Sequence, residues 1–525
     1  MSLIEVLVGL IAACVVLAVV ARSVGLPAAV ALVFGGMALA LLPGVPRVEL
    51  DPHIVLTLFL PPLLQVSALR TDWKAFRIEL RPILLLALGL VLFTAIAIGA
   101  VAHALVPDLP WAACVALGAI VAPPDAVAAT AVLKTVRLPR RLVTILEGES
   151  LLNDASSLIL YRSAVAATAT ATVSFGQSGV SFLVSSVGGA IVGLLVGRVV
   201  IAVSRALDDT LLEIAAMVLA GFAAYLGAEF FDLSGVLAAV ACGLVVGRRQ
   251  HTDLSARTRV EAAAVWNFIE FVLTSLVFIL IGLQLRDVVG RLGGEGYAHL
   301  AGIGLAVSGV LIASRFVWVF GSARASRLLP RRWQAQDAGM PASYLAIISW
   351  AGMRGVVSLA ASLALPIGFP GRDLIIFLAF CAILVTLVVQ GTTLGWLIRR
   401  LGVVEAAVEG NGEAVARRAA ADAALAAIER RVFSGRVLGL PDADMLREFR
   451  RRAAAARDVE HGTGLALRRQ PARLRLELDA VRAARTAMLG HAGQVDGELM
   501  QDMIEELDFE EGRLFRALGH GHEPS

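Results

Sequence analysis

The chain has 525 residues, is 58% hydrophobic, and carries a formal net charge of only +3. A mean hydropathy of +0.78 excludes an ordinary soluble globular protein and indicates an all-α polytopic membrane protein set in a lipid bilayer. The near balance of charge offers nothing for nucleic acid.

Thirteen apolar segments are predicted, over approximately residues 2–21, 26–44, 52–69, 80–105, 111–134, 142–168, 179–204, 209–230, 232–247, 261–285, 298–323, 341–365 and 373–398. The first opens without a basic stretch or a small-residue cleavage site, so it reads as a membrane helix rather than a signal peptide. Cys14, Cys114, Cys242 and Cys381 fall in four different segments. They show no ligand spacing and read as small core residues. Basic loops alternate with loops poor in Lys and Arg. Arg70, Lys74, Arg77 and Arg81 join the third and fourth segments; Lys134, Arg137, Arg140 and Arg141 join the fifth and sixth. Arg248, Arg249, Arg257 and Arg259, and then Arg324, Arg327, Arg331 and Arg332, mark the later basic loops. The positive-inside rule then predicts an outside N-terminus and a cytoplasmic C-terminus, a topology that requires an odd number of spans.

The fifth and sixth segments carry the costly residues. Asp125 follows Pro123-Pro124, and Glu147, Glu149, Asn153 and Asp154 lie in one apolar stretch. A charge at mid-membrane costs several kcal/mol even on lenient scales, roughly 2.5–3.5 for Asp, so such residues are functional candidates. Neither proline donates a backbone hydrogen bond, which leaves the Ala119 and Ile120 carbonyls without helical partners. Free carbonyls beside two aspartates suit a small hard cation and a proton. Ser150 precedes Asp154 by one helical turn on the same face, so its hydroxyl is a candidate ligand.

The twelfth segment is interrupted by Gly352-Met353-Arg354-Gly355. It stands seven segments after the fifth, and an odd offset reverses the direction of crossing. Two interrupted segments at matching places predict inverted repeats, segments 1–6 against 8–13, with two crossed broken helices. Arg354 and Glu149 are both buried charges needing partners, and the expectation is that they pair. Arg315, Glu270 and Glu229 read as hydrogen-bonding groups inside the bundle, and His103 as structural. Residues 1–401 form the expected membrane domain. Residues 402–525 are rich in Ala, Arg and Glu and read as a cytosolic helical regulatory tail, with Leu474, Leu476, Leu478 and Val481 as a packing face. No nucleophile–base pair or metal cluster in the loops points to an enzyme, and nothing calls for a resident cofactor.

Several stretches carry a family resemblance. They are Phe59-Leu-Pro-Pro-Leu-Leu, Pro123-Pro-Asp-Ala-Val-Ala, Glu147-Gly-Glu-Ser-Leu-Leu-Asn-Asp-Ala, Ser234-Gly-Val-Leu-Ala, Phe278-Ile-Leu-Ile-Gly-Leu-Gln and Gly352-Met-Arg-Gly-Val-Val-Ser-Leu-Ala. On these the chain resembles sodium/proton antiporters of the NhaP kind, within the monovalent cation:proton antiporter-1 family. Glu506-Leu-Asp-Phe-Glu-Glu in the tail also resembles bacterial members. Two places depart from the pattern. Pro124 stands where many members have Thr, which loses a side chain but keeps a carbonyl. Gln65 and Val66 stand where many have an aromatic and then an acid.

The resemblance implies exchange of sodium, or alternatively potassium or lithium, for protons across a bacterial plasma membrane. It makes Asp154 the central carrier, with Asp125, Ser150, Asn153 and Pro124 beside it; the metal ligands implied for the transported ion are Asp154, Asp125 and Ser150. It also implies alternating access in a homodimer. Electrogenic relatives carry a second Asp at the place of Asn153, so a neutral Asn implies electroneutral exchange. Burial disfavours a charged carboxylate, which lets a proton compete with the cation. The rival of another class is a cation channel with a regulatory tail, which needs a continuous pore rather than one buried site.

Overall fold

A computed structural model describes residues 3–42, 52–125, 138–170, 175–207, 209–284, 288, 290, 297–328 and 340–403, together with scattered residues between 418 and 514. Every regular element among the described residues is helical. The chain divides into two compact units, Met1–Glu405 and Ala406–Ser525.

In the first unit, α1 (Leu3–Val24), α2 (Ala28–Leu41) and α3 (Pro52–Arg70) lead to a short α4 (Trp73–Ile78). A composite rod follows: α5 (Leu80–Leu84), a π-helical turn (Leu85–Leu90) and α6 (Val91–Leu105). Next come α7 (Trp111–Val121), α8 (Arg140–Thr170), α9 (Phe175–Ala206), α10 (Thr210–Glu229), α11 (Gly235–Asp253), α12 (Ala256–Leu283) and α13 (Tyr297–Leu328). Two half-helices, α14 (Ala342–Trp350) and α15 (Val356–Leu363), precede α16 (Arg372–Val385), a second π-turn (Thr386–Gln390) and α17 (Gly391–Arg400).

Six described helical stretches are long and apolar enough to cross a bilayer: 80–105, 179–206, 210–229, 257–283, 298–326 and 372–400. The 31-residue α8 is as long as any of them, but Glu147, Glu149, Asn153 and Asp154 interrupt its apolar character. A helix this polar needs cover from other helices, and its Glu149, Asn153 and Asp154 are all buried.

Glycine sets the closest helix contacts. A Cβ on Gly36 would lie 2.2 Å from the Ile279 carbonyl oxygen, and one on Gly282 would lie 2.2 Å from that of Val33, so α2 and α12 touch backbone to backbone. Gly189 and Gly193 play the same part for α9 against α11, 2.3 and 2.1 Å from the carbonyls of Ser234 and Ala238. Small residues at helix crossings replace the hydrophobic drive that lipid cannot supply.

Two groups of helices result. In one, α3, α9, α10, α11 and the first half of α12 share an apolar core around Met217, Ala224, Cys242 and Trp266. In the other, α6, α7, α8, α13, α15 and α16 pack around Leu117, Ile120, Val307 and Leu378. Lone cysteines sit in both cores, and all four are free.

In the second unit, Leu474, Leu478 and Val481 pack with Leu507 and Leu514, and Arg482 bonds Glu511 at 2.8 Å. Leu476 lies outside the described residues, as do most of the helices expected there.

Candidate functional site

Helix α7 stops at Val121, ahead of Pro123 and Pro124, and the chain runs unwound to Asp125. The continuation of this segment, 126–137, lies outside the described residues. The freed carbonyls have specific donors. Ser157 Oγ donates to Ala119 at 2.7 Å. Arg354 donates from Nε to Val121 at 2.8 Å and from Nη2 to Ala122 at 3.0 Å. Asn153 Nδ2 donates to Pro124 at 2.9 Å. Buried backbone acceptors are thus satisfied by side chains of two other elements, as the absence of water at membrane depth demands.

The second break spans Ala351–Gly355 between α14 and α15. The two breaks meet: the Asp125 N–H donates to the Met353 carbonyl at 2.7 Å. Arg354 also donates from Nη1 to Gly352, and its backbone N–H reaches Thr386 Oγ1 at 3.2 Å. Thr386 opens the second π-turn, so that irregular turn props the break from behind.

The pairing of the buried charges differs from the sequence expectation. Glu149 does not pair with Arg354. It takes a bidentate ion pair from Arg315, 2.5 Å from Nη1 to Oε1 and 2.6 Å from Nη2 to Oε2, with both side chains 1% exposed. Arg315 Nε spends its remaining donor on the Ile348 carbonyl at 2.9 Å, just before the break. The reason is geometric: every donor nitrogen of Arg354 is already committed to a carbonyl, while α13 presents the planar fork of Arg315 squarely to the carboxylate. The sequence reads Arg315 as a hydrogen-bonding group inside the bundle, and the structure makes it the ion-pair partner of Glu149. Two further acids that the sequence placed inside the bundle are paired, Glu270 with Arg70 at 2.6 Å and Glu229 with Arg162 at 3.3 Å. His103 Nδ1 lies 2.9 Å from the Leu109 carbonyl, a local structural bond.

Asp125, Ser150, Asp154 and Pro124 line one cavity of about 50 Å3, large enough for a single small ion with little water. Asn153 does not line it; its amide holds the Pro124 carbonyl in place. The wall opposite α8 comes from α3 and α12, through Phe59, Ser67, Thr274 and Phe278, and from Gly355 and Ser358 at the start of α15. The cavity therefore sits where the two helix groups face each other.

Two further oxygens stand in this wall. Ser358 Oγ and Thr274 Oγ1 are buried without a hydrogen-bond partner among the described residues. An unsatisfied buried hydroxyl costs about 1–3 kcal/mol, a cost that a water or an ion in the cavity would offset. The described lining then offers two carboxylates and four hydroxyls, those of Ser67, Ser150, Thr274 and Ser358, all hard oxygen, and holds no thiol or imidazole. Two carboxylates facing one desolvated space repel each other, and a proton or a small cation relieves that repulsion.

The chain is similar to known proteins. Residues 9–400 match the family model described as sodium/hydrogen exchanger, transmembrane. An uncharacterized Na(+)/H(+) exchanger of Mycobacterium tuberculosis is 36% identical over 438 residues, covering 81% of this chain and 79% of the relative. A Bacillus subtilis protein named sodium, potassium, lithium and rubidium/H(+) antiporter is 35% identical over 363 residues, covering 66% of this chain and 54% of that one. Among solved structures, the sodium proton antiporter MjNhaP1 of Methanocaldococcus jannaschii superposes with a TM-score of 0.60 at 16% identity, covering 76% of this chain and 98% of that one. At that identity the superposition speaks for the fold.

Proposed function

The chain belongs to the sodium/hydrogen exchanger family and is a cation/proton antiporter, and within that family we propose that sodium and protons compete for the Asp125/Asp154 cavity. The observation that carries this reading is the set of six oxygen-bearing side chains, Asp125, Asp154, Ser67, Ser150, Thr274 and Ser358, around one small buried space. With the cavity protonated, desolvation favours neutral carboxyls. Entry of a cation restores a counter-charge and lets one carboxyl release its proton. Each ion thus displaces the other, which couples their movement in opposite directions.

The cavity's position between two helix groups supports alternating access. In this reading the group holding α7, α8, α13 and α15 rocks against α3, α11 and α12 and carries the site across. The backbone bond between the breaks, together with Arg354 and the Glu149–Arg315 pair, holds the carrying group rigid. Thirteen spans in inverted repeats, an outside N-terminus and a cytoplasmic C-terminus are the topology we assign, with residues 402–525 as a cytosolic regulatory tail. A homodimer in a bacterial inner membrane is the assembly we assign, and Asn153 in place of a second acid supports electroneutral exchange.

Potassium is the second reading, favoured by the ion range in the name of the Bacillus relative. Proteoliposomes with an imposed pH gradient decide between the ions. Addition of sodium should collapse the gradient, and parallel addition of potassium or lithium ranks them. Failure of every monovalent cation to move protons would overturn the proposal.

A further inference from the structure

We propose that a pocket formed by Trp73, Lys74, Arg77, Ile78 and Arg248 binds the phosphate-bearing headgroup of an anionic phospholipid. The pocket encloses about 420 Å3 and lies where α4 approaches the end of α11. Helix α4 joins the ends of two apolar helices, so it lies at the membrane surface.

Its six residues divide by face. Phe76 is 4% exposed and rests against α8, where a Cβ on Gly148 would lie 3.1 Å from its ring. Trp73 and Ile78 are 39% and 55% exposed, and Lys74 and Arg77 are exposed beside them. An aromatic and an aliphatic side chain flanked by cations on an interfacial helix suit the boundary between acyl chains and headgroups.

The pairing of neighbouring cations sharpens the argument. Arg70 bonds Glu270, Arg141 bonds Glu79, and Arg249 lies 3.9 Å from Asp253. The side chains of Lys74, Arg77 and Arg248 have no hydrogen bond or ion pair among the described residues, yet they converge on one pocket. Of the nearby acids, Asp72 accepts the Lys74 and Ala75 N–H groups and Glu79 is taken by Arg141. Three convergent cations with no counter-ion among the described residues, on a membrane surface, call for an anion from the bilayer, whose own negative potential draws basic side chains to it. A headgroup there would tie α4, which rests on the site helix, to α11 of the facing group.

The test is native mass spectrometry of the full chain in a neutral detergent, titrated in separate arms with phosphatidylglycerol, phosphatidylcholine and inorganic phosphate. Phosphatidylglycerol should stay bound at concentrations where phosphatidylcholine does not. The variant Lys74→Gln/Arg77→Gln/Arg248→Gln should bind it at least about tenfold more weakly, since each basic residue near the surface contributes. The charge-preserving variant Lys74→Arg/Arg77→Lys/Arg248→Lys should keep binding, and Arg249→Gln should change it less than about twofold, because Arg249 has Asp253. Should the triple Gln variant fail to fold, Lys74→Gln and Arg248→Gln alone, each expected to weaken binding about two- to fivefold, carry the comparison. Equal phosphatidylglycerol binding by the Gln variants, or equal binding of phosphatidylcholine, would overturn the proposal. Displacement of the lipid by millimolar inorganic phosphate would also overturn it, in favour of a free-anion site. Because binding is read without transport, a negative result here is separable from any failure of antiport.

Discussion

Gly355 is the surface against which Asp125 is seated: a Cβ built on Gly355 would lie 1.7 Å from Asp125 Oδ2. The backbone there, at φ −147° and ψ −138°, lies outside the left-handed region. The constraint is therefore space for the carboxylate rather than chain conformation. Gly355→Ala should push Asp125 out of the cavity and abolish exchange. Gly302→Ala on α13, where nothing lies within 4 Å, is the matched control and should transport normally. Near-native flux in Gly355→Ala proteoliposomes would show that Asp125 does not need this seat.

Asp125→Asn and Asp154→Asn should each remove cation-dependent proton flux while leaving a membrane-inserted, monodisperse protein. In the intact protein, protons and sodium compete for the same oxygens, so the apparent KM for sodium should rise as pH falls and reach its lowest value at alkaline pH. Flux measured against sodium concentration at several pH values checks the sign. An apparent KM independent of pH would separate the proton site from the cation site.

The Glu149–Arg315 pair predicts a specific coupling. Removing either partner leaves an uncompensated buried charge, which typically costs about 3–5 kcal/mol. A double-mutant cycle of Glu149→Gln and Arg315→Met on thermal unfolding in detergent should give a coupling of roughly 1–3 kcal/mol. The same cycle with Arg354→Met in place of Arg315→Met should give a clearly smaller coupling, because the donor nitrogens of Arg354 bond backbone carbonyls and not Glu149. Comparable coupling in both cycles would mean that Arg354 shares the carboxylate in solution.

Ser358→Ala and Thr274→Val should separate stability from binding. Each hydroxyl is buried without a partner among the described residues, so its removal should leave Tm unchanged or slightly raised. The lost oxygen should raise the apparent KM for sodium about two- to tenfold, the equivalent of one hydrogen bond or ligand of ordinary strength. An unchanged KM in both variants would remove these two oxygens from the coordination shell.

Exchange should be insensitive to membrane voltage, because Asn153 beside Asp154 carries no titratable charge and one proton then leaves for each cation that enters. Valinomycin–potassium clamps of either sign should leave sodium-driven proton flux unchanged. A rate that follows the clamp would show net charge movement per cycle.

The location of the site was legible in the sequence because its cost is local. A Pro-Pro pair that removes backbone donors, an Asp in an apolar run, and a charge between two glycines are each anomalous within their own segment, whatever surrounds them. Asp125, Pro124, Ser150 and Asp154, which the sequence groups, stand around one cavity, and the interruptions at Pro123-Pro124 and Gly352–Gly355, which it matches, meet at Asp125 and Met353.

Partner choice is a different kind of property. Glu149 needed a cation, but Arg354 and Arg315 satisfied that requirement equally on paper, and only the approach of α13, 166 residues away, decides for Arg315. Hydroxyls posed the same difficulty. A Ser or Thr in an apolar helix usually bonds its own backbone one turn earlier, as Ser156, Ser163 and Thr168 do here. Nothing in the sequence separates them from Thr274 and Ser358, which face the cavity, or from Ser157, which bridges to Ala119. Desolvation is a cost each residue bears in its own segment, so the sequence determined where charge and broken backbone must be protected. Direction in space arises only when helices distant in sequence pack, so the tertiary structure alone decided which oxygens meet and which arginine answers which acid.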